Sequence, residues 1–150
     1  MVSTFSLAPD DWFGLFARLL LALFLGGVIG WEREIKRKPA GLRTHILVSF
    51  AAALFVMIPL VLGAVNDGNS VSRVIQGVTA GVGFLGAGEI FTSAGKQSDS
   101  IRVRGLTSAA AIWASAALGV TAGCGLWQLG LMSAFLCFVV LRVLKKIEIN

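Results

Sequence analysis

The chain has 150 residues, 56% of them hydrophobic with eighteen glycines besides, and a formal net charge of +5. A soluble domain is about 45–50% apolar even with glycine counted, so this composition excludes an ordinary soluble fold and fits one membrane-embedded domain. The charge does not mark a nucleic-acid binder, because the basic residues gather in short connections between apolar runs, the positive-inside pattern.

Five apolar runs are legible, each near the ~20 residues a helix needs to cross ~30 Å of hydrocarbon. The first extends from Trp12 to Trp31. Its flank carries Asp10 and Asp11 rather than Lys or Arg, and no small-residue cleavage site follows. It is therefore expected to stay as a helix and not to leave as a signal peptide. Within it, Arg18 heads a row with Ala22, Gly26 and Gly30 at four-residue spacing. Intramembrane charges face the bundle, so Arg18 is expected to point inward. The connection from Glu32 to Arg43 holds Arg33, Lys36, Arg37 and Lys38 and belongs in the cytoplasm.

The second run extends from Thr44 to Gly63. The link after it, Ala64 to Ser70, has Asp67 and no Lys or Arg, and belongs outside. The third run extends from Val71 to Phe91, with Gly77, Gly81, Gly83, Gly86 and Gly88 pointing all around a helix. Either neighbours press on it from several sides, or its backbone breaks where protein or water covers it. Gly81-Val-Gly83-Phe-Leu-Gly86 spells G-x-G-x-x-G, but no strand precedes it, so no dinucleotide site is expected. Lys96, Arg102 and Arg104 put the next connection inside.

The fourth run extends from Gly105 to Ala122, with Ser108, Ala111, Ser115, Gly119 and Ala122 in one sector. After an uncharged turn at Gly123–Cys124–Gly125, the fifth runs from Leu126 to Leu144 with Gly130, Ser133, Ala134 and Cys137. Arg142, Lys145 and Lys146 place the C-terminus inside and hence the N-terminus outside. Trp12, Trp31 and Trp127 fall at expected interfaces. Small residues permit close helix approach, so a tight all-α bundle of five transmembrane helices is expected, with Gly26, Gly30, Gly77, Gly81 and Gly88 as packing glycines. Cys124 and Cys137 lie about 20 Å apart along the chain axis by helical rise, too far for a disulfide.

This topology brings Glu32, Arg43, His45, Glu89, Arg102, Arg104 and Thr107 to the cytoplasmic face. A bilayer tolerates ionisable groups only where water, a partner or a function compensates them. Glu89, near the inner end of its span, reads as a carboxylate reaching the interface, as the partner of Arg43 or Arg104, or as a cation ligand or proton carrier. His45 is the only histidine; it reads as a neutral ring bonded near a helix start or as a proton acceptor. One histidine and no clustered cysteines argue against a soft-metal site. A hard cation such as magnesium would want carboxylates, and Glu32, Glu34, Glu89 and Asp99 lie on that side, with Glu89 the metal candidate. No serine–histidine–acid set can be assembled, so no enzyme and no cofactor is expected.

Four segments in order carry a resemblance: Arg18-Leu-Leu-Leu-Ala-Leu-Phe-Leu-Gly-Gly-Val-Ile-Gly-Trp-Glu-Arg, Pro39-Ala-Gly-Leu-Arg-Thr-His-Ile-Leu-Val-Ser, Gly81-Val-Gly-Phe-Leu-Gly-Ala-Gly and Val103-Arg-Gly-Leu-Thr-Ser-Ala-Ala. With them the chain resembles the MgtC/SapB family of bacterial inner-membrane proteins, in a short form lacking the soluble C-terminal domain of the virulence members. The resemblance implies five helices with an external N-terminus, a link to growth at low magnesium, and modulation of other membrane proteins. Two functional readings follow. In the first the chain is a non-enzymatic regulator in a bacterial plasma membrane, linked to ion homeostasis, contacting lipid and another membrane protein or a second copy of itself. In the second it is a small magnesium or proton transporter or channel, using Glu89 and the glycine-rich third helix.

Overall fold

The computed structural model describes residues 10–63, 68–93 and 105–144. Among the described residues all regular structure is helical: α1 (Trp12–Ile35), α2 (Leu42–Val61), α3 (Gly68–Ser93), α4 (Leu106–Gly123) and α5 (Trp127–Val139), the last continued by a π-helical turn over Val140–Leu144. Three of them, α1, α2 and α4, are long and apolar enough to cross a membrane. At 1.5 Å per residue they span about 36, 30 and 27 Å.

Boundaries differ from the sequence expectation in an instructive way. The first helix continues a turn past Trp31 to Ile35. Lys36 stands four residues after Glu32 and pairs with it, and Arg33 donates to Ser108 Oγ at 2.9 Å. Those partners hold the extra turn, so Glu32 and Arg33 belong to the helix and not to a solvated connection. The next helix begins at Leu42, two residues before the expected Thr44, because Glu34 Oε2 accepts from the Leu42 amide at 2.9 Å and caps it. Asp11 caps α1 in the same manner, accepting from the Gly14 amide at 2.9 Å.

Close backbone approach sets the register. A Cβ on Gly26 would lie 2.6 Å from the His45 carbonyl oxygen and 2.8 Å from Ser49 Cβ; one on Gly30 would lie 2.8 Å from Leu42 Cα. Contacts that rise along α1 fall along α2, so this pair is antiparallel. A Cβ on Gly119 would run into the Ser49 carbonyl, and one on Gly123 would lie 2.7 Å from the Ala53 carbonyl oxygen. Here both sequences rise together, so α2 and α4 are parallel. Gly130 of α5 closes on Leu25 and Thr121. The core between them is Ala22, Leu25, Ile29, Ala53, Ala111, Leu118, Ala122 and Ala134.

The glycines of α3 behave otherwise. The helix is continuous from Gly68 to Ser93, and Gly86 touches Ala109. A Cβ on Gly77, Gly81, Gly83 or Gly88 would meet no described atom within 4 Å. The expectation that Gly77, Gly81 and Gly88 pack inside the bundle, or that the backbone breaks there, is corrected on this chain. The reason is that α3 leans on α4 and stands away from α2, leaving an apolar cleft of about 540 Å³ lined by Leu47, Ala51, Phe55, Val74, Gly77 and Gly81 among others.

Candidate functional site

Most polar side chains of the described bundle interior collect where α1, α2 and α4 meet. Glu32 and Arg33 are each 3% exposed; His45, Ser49 and Ser115 are fully buried; Ser108 is 4% exposed. The charges are accounted for locally. Arg33 Nη1 stands 3.6 Å from Glu32 Oε2, Lys36 pairs with Glu32 Oε1, and Arg33 Nη2 donates to Ser108. Lys36 also donates to the Leu141 carbonyl at 3.0 Å, joining the end of α1 to the π turn. Such a turn shifts the hydrogen-bond ladder and frees carbonyls for outside donors.

Deeper in, Ser49 Oγ donates to the Ala22 carbonyl at 2.7 Å, binding α2 to α1. His45 Nδ1 lies 2.8 Å from the Gly41 carbonyl oxygen. A carbonyl only accepts, so Nδ1 carries the ring proton. Five buried atoms of this group make no well-directed hydrogen bond: Glu32 Oε1 and Oε2, Arg33 Nε, His45 Nε2 and Ser115 Oγ. Glu32 thus has its opposite charges near it without aligned donors.

The expected cytoplasmic-face cluster is only partly assembled. Glu32 and His45 are brought together in the interior. Arg43 and Thr107 are exposed, so the structure does not place them in the cluster. Arg102, Arg104 and Asp99 lie outside the described residues. Glu89 is half-buried on α3, and its Oε1 is buried with no hydrogen-bond partner. No group of three or more potential His, Cys, Asp or Glu ligands occurs among the described residues. Arg33, Ser49, Ser108 and Ser115 are at the centre of the arrangement instead. A sequence signal existed for them: Arg33 falls on the same helical face as Gly26 and Gly30, and Ser108 and Ser115 stand seven apart on the small-residue sector of α4. Arg33 was masked by its neighbours, since it sits in a basic run that reads as a positive-inside connection.

At the other end of the bundle, Arg18 points inward as expected, donating from Nη1 to the Gly123 carbonyl at 2.9 Å. A cation at the carboxyl end of α4 complements the helix dipole. Cys124 follows directly; it and Cys137 are free thiols. Burial pushes the Cys124 thiol up from its ordinary value, and the nearby Arg18 charge draws it part of the way back.

The outward faces of α1, α2, α3, α4 and α5 carry large exposed apolar side chains, among them Phe13, Phe24, Leu47, Phe55, Phe84, Trp113 and Phe135. Apolar surface on this scale needs a covering medium, and with three helices of spanning length that medium is lipid. Comparison with known proteins agrees. The MgtC family profile matches residues 19–149. Protein SrpB of Synechococcus elongatus is 50% identical over 149 residues, covering 95% of this chain and 81% of that protein. Escherichia coli K12 YhiD is 38% identical over 135 residues, covering 87% of this chain and 60% of YhiD. Protein MgtC of Brucella abortus is 45% identical over 105 residues, covering 70% of this chain and 40% of that protein. No solved structure matches. The chain is a membrane protein and belongs to the MgtC family.

Proposed function

We propose that the chain is a non-enzymatic membrane regulator tied to magnesium homeostasis, crossing a bacterial plasma membrane five times with its N-terminus outside. The observation that carries this reading is the state of Glu32. Its carboxylate, the buried acid of α1, is already engaged by Arg33 and Lys36. A carboxylate held by two cations of its own helix does not offer a free negative site to a divalent ion, and those cations reach on to Ser108 of α4 and the Leu141 carbonyl. The link to magnesium comes from kinship, since one relative is named "Putative magnesium transporter YhiD". Helix surfaces covered by lipid would in this reading also contact another membrane protein or a second copy.

A second reading, a small magnesium or proton transporter, keeps one observation of its own. Glu89 Oε1 is buried without a hydrogen-bond partner on α3, the helix that leans on α4. Purified protein in sealed liposomes separates the two. The regulator carries no magnesium or proton flux above empty vesicles. Flux that Glu89→Gln abolishes would establish the transporter and overturn the regulator.

A further inference from the structure

Two helices packed in parallel place equal steps along them at equal depth. Ser49 faces Gly119 and Ala53 faces Gly123 across the α2–α4 contact. One turn earlier on each helix stand His45 and Ser115. Both side chains are fully buried, and both have a polar atom, Nε2 and Oγ, without a hydrogen-bond partner. Because Nδ1 donates to the Gly41 carbonyl, Nε2 of the neutral ring is a bare lone pair. A buried acceptor left without a donor costs free energy, so a pair of such atoms at one level asks for a ligand.

We infer that His45 Nε2 and Ser115 Oγ form a small buried binding site for a water-sized neutral hydrogen-bond donor, water itself being the fitting chemistry. The ligand would donate to Nε2 and exchange a second hydrogen bond with Ser115, which both gives and accepts. The surroundings select against a cation. The charged groups near His45 are Glu32, Arg33 and Lys36 of α1, one acid against two bases; Arg43 on α2 itself is exposed; α4 has no ionisable side chain between Leu106 and Gly123; α3 carries Arg73 and Glu89. The walls are fixed by Gly26 and Gly30, whose missing side chains let α1 close over the His45 backbone. The site is independent of whether the chain regulates or transports.

A single histidine makes the test direct. Protein labelled with nitrogen-15 histidine and reconstituted in lipid vesicles gives one Nδ1 and one Nε2 resonance by solid-state NMR. Expected are a protonated Nδ1, an Nε2 hydrogen-bonded as acceptor, magnetisation transfer to Nε2 from water, and loss of that hydrogen-bonded shift in Ser115→Ala but not in Ser108→Ala. Both variants remove only a hydroxyl, and an unchanged Nδ1 signal reports an intact α2 start. A proton on Nε2, an Nε2 signal indifferent to Ser115→Ala, or equal effects of the two variants would overturn the site. A shift in Ser115→Ala with no transfer from water would mean a direct serine–histidine bond and would overturn the ligand.

Discussion

Single residues decide how closely these helices approach, and glycine is where that is sharpest. Gly119 and Gly81 look alike in sequence, each a glycine among alanines and valines in an apolar run. Their surroundings are opposite: a Cβ on Gly119 collides with the Ser49 carbonyl, and one on Gly81 meets nothing. Gly119→Ala is therefore expected to destabilise by about 1–3 kcal/mol through overpacking, whereas Gly81→Ala gains up to ~1 kcal/mol of helix propensity. Unfolding in detergent measures both. In the same measurement Arg33→Ala, which removes the bond to Ser108 and one of the two cations at buried Glu32 but leaves Lys36 paired, should cost about 1.5–3 kcal/mol; adding Lys36→Met strands the carboxylate and should take the loss to about 3–5 kcal/mol. At the turn between α4 and α5, burial raises the Cys124 thiol. A raised value keeps the unreactive protonated form to higher pH, so its alkylation rate should begin to climb at higher pH than that of the unfolded chain, as a pH series with iodoacetamide would read.

At the scale of elements, much was legible before any coordinates. Apolar runs near twenty residues gave the positions of α1, α2 and α4 to within a turn, and the sector Ser108–Ala111–Ser115–Gly119–Ala122 is buried in full. The inward direction of Arg18 followed from its row of small residues. Two features were not legible, for physical reasons. The last turn of α1 depends on Ser108, seventy-five residues away, to receive Arg33; no local pattern encodes a partner at that distance. The open side of α3 depends on which neighbour it chooses, and its glycines would serve a packed helix equally well. Arg18 ties α1 to the carboxyl end of α4, so Arg18→Met should loosen that end by about 1.5–3 kcal/mol, the value of one charged hydrogen bond. Amide exchange at Ala122–Gly125 would show it, with α2 amides unaffected.

For the molecule as a whole, the described residues show large apolar side chains on the outside around an apolar core, with Ser49, Ser108, Ser115 and the Glu32–Arg33–Lys36 cluster buried where α1, α2 and α4 meet or at one end. The candidate site was half legible, because Glu32 and His45 were recognisable as costly residues in lipid and the serines opposite them were not. The central claim is that the chain crosses the membrane five times and carries this polar end to the cytoplasmic side. Single cysteines at Arg37 and Asn69, in a background with Cys124 and Cys137 replaced, test it most directly in intact cells with an impermeant maleimide. The account predicts that position 69 reacts from outside and position 37 only after the membrane is opened; labelling of both positions from the same side would contradict it.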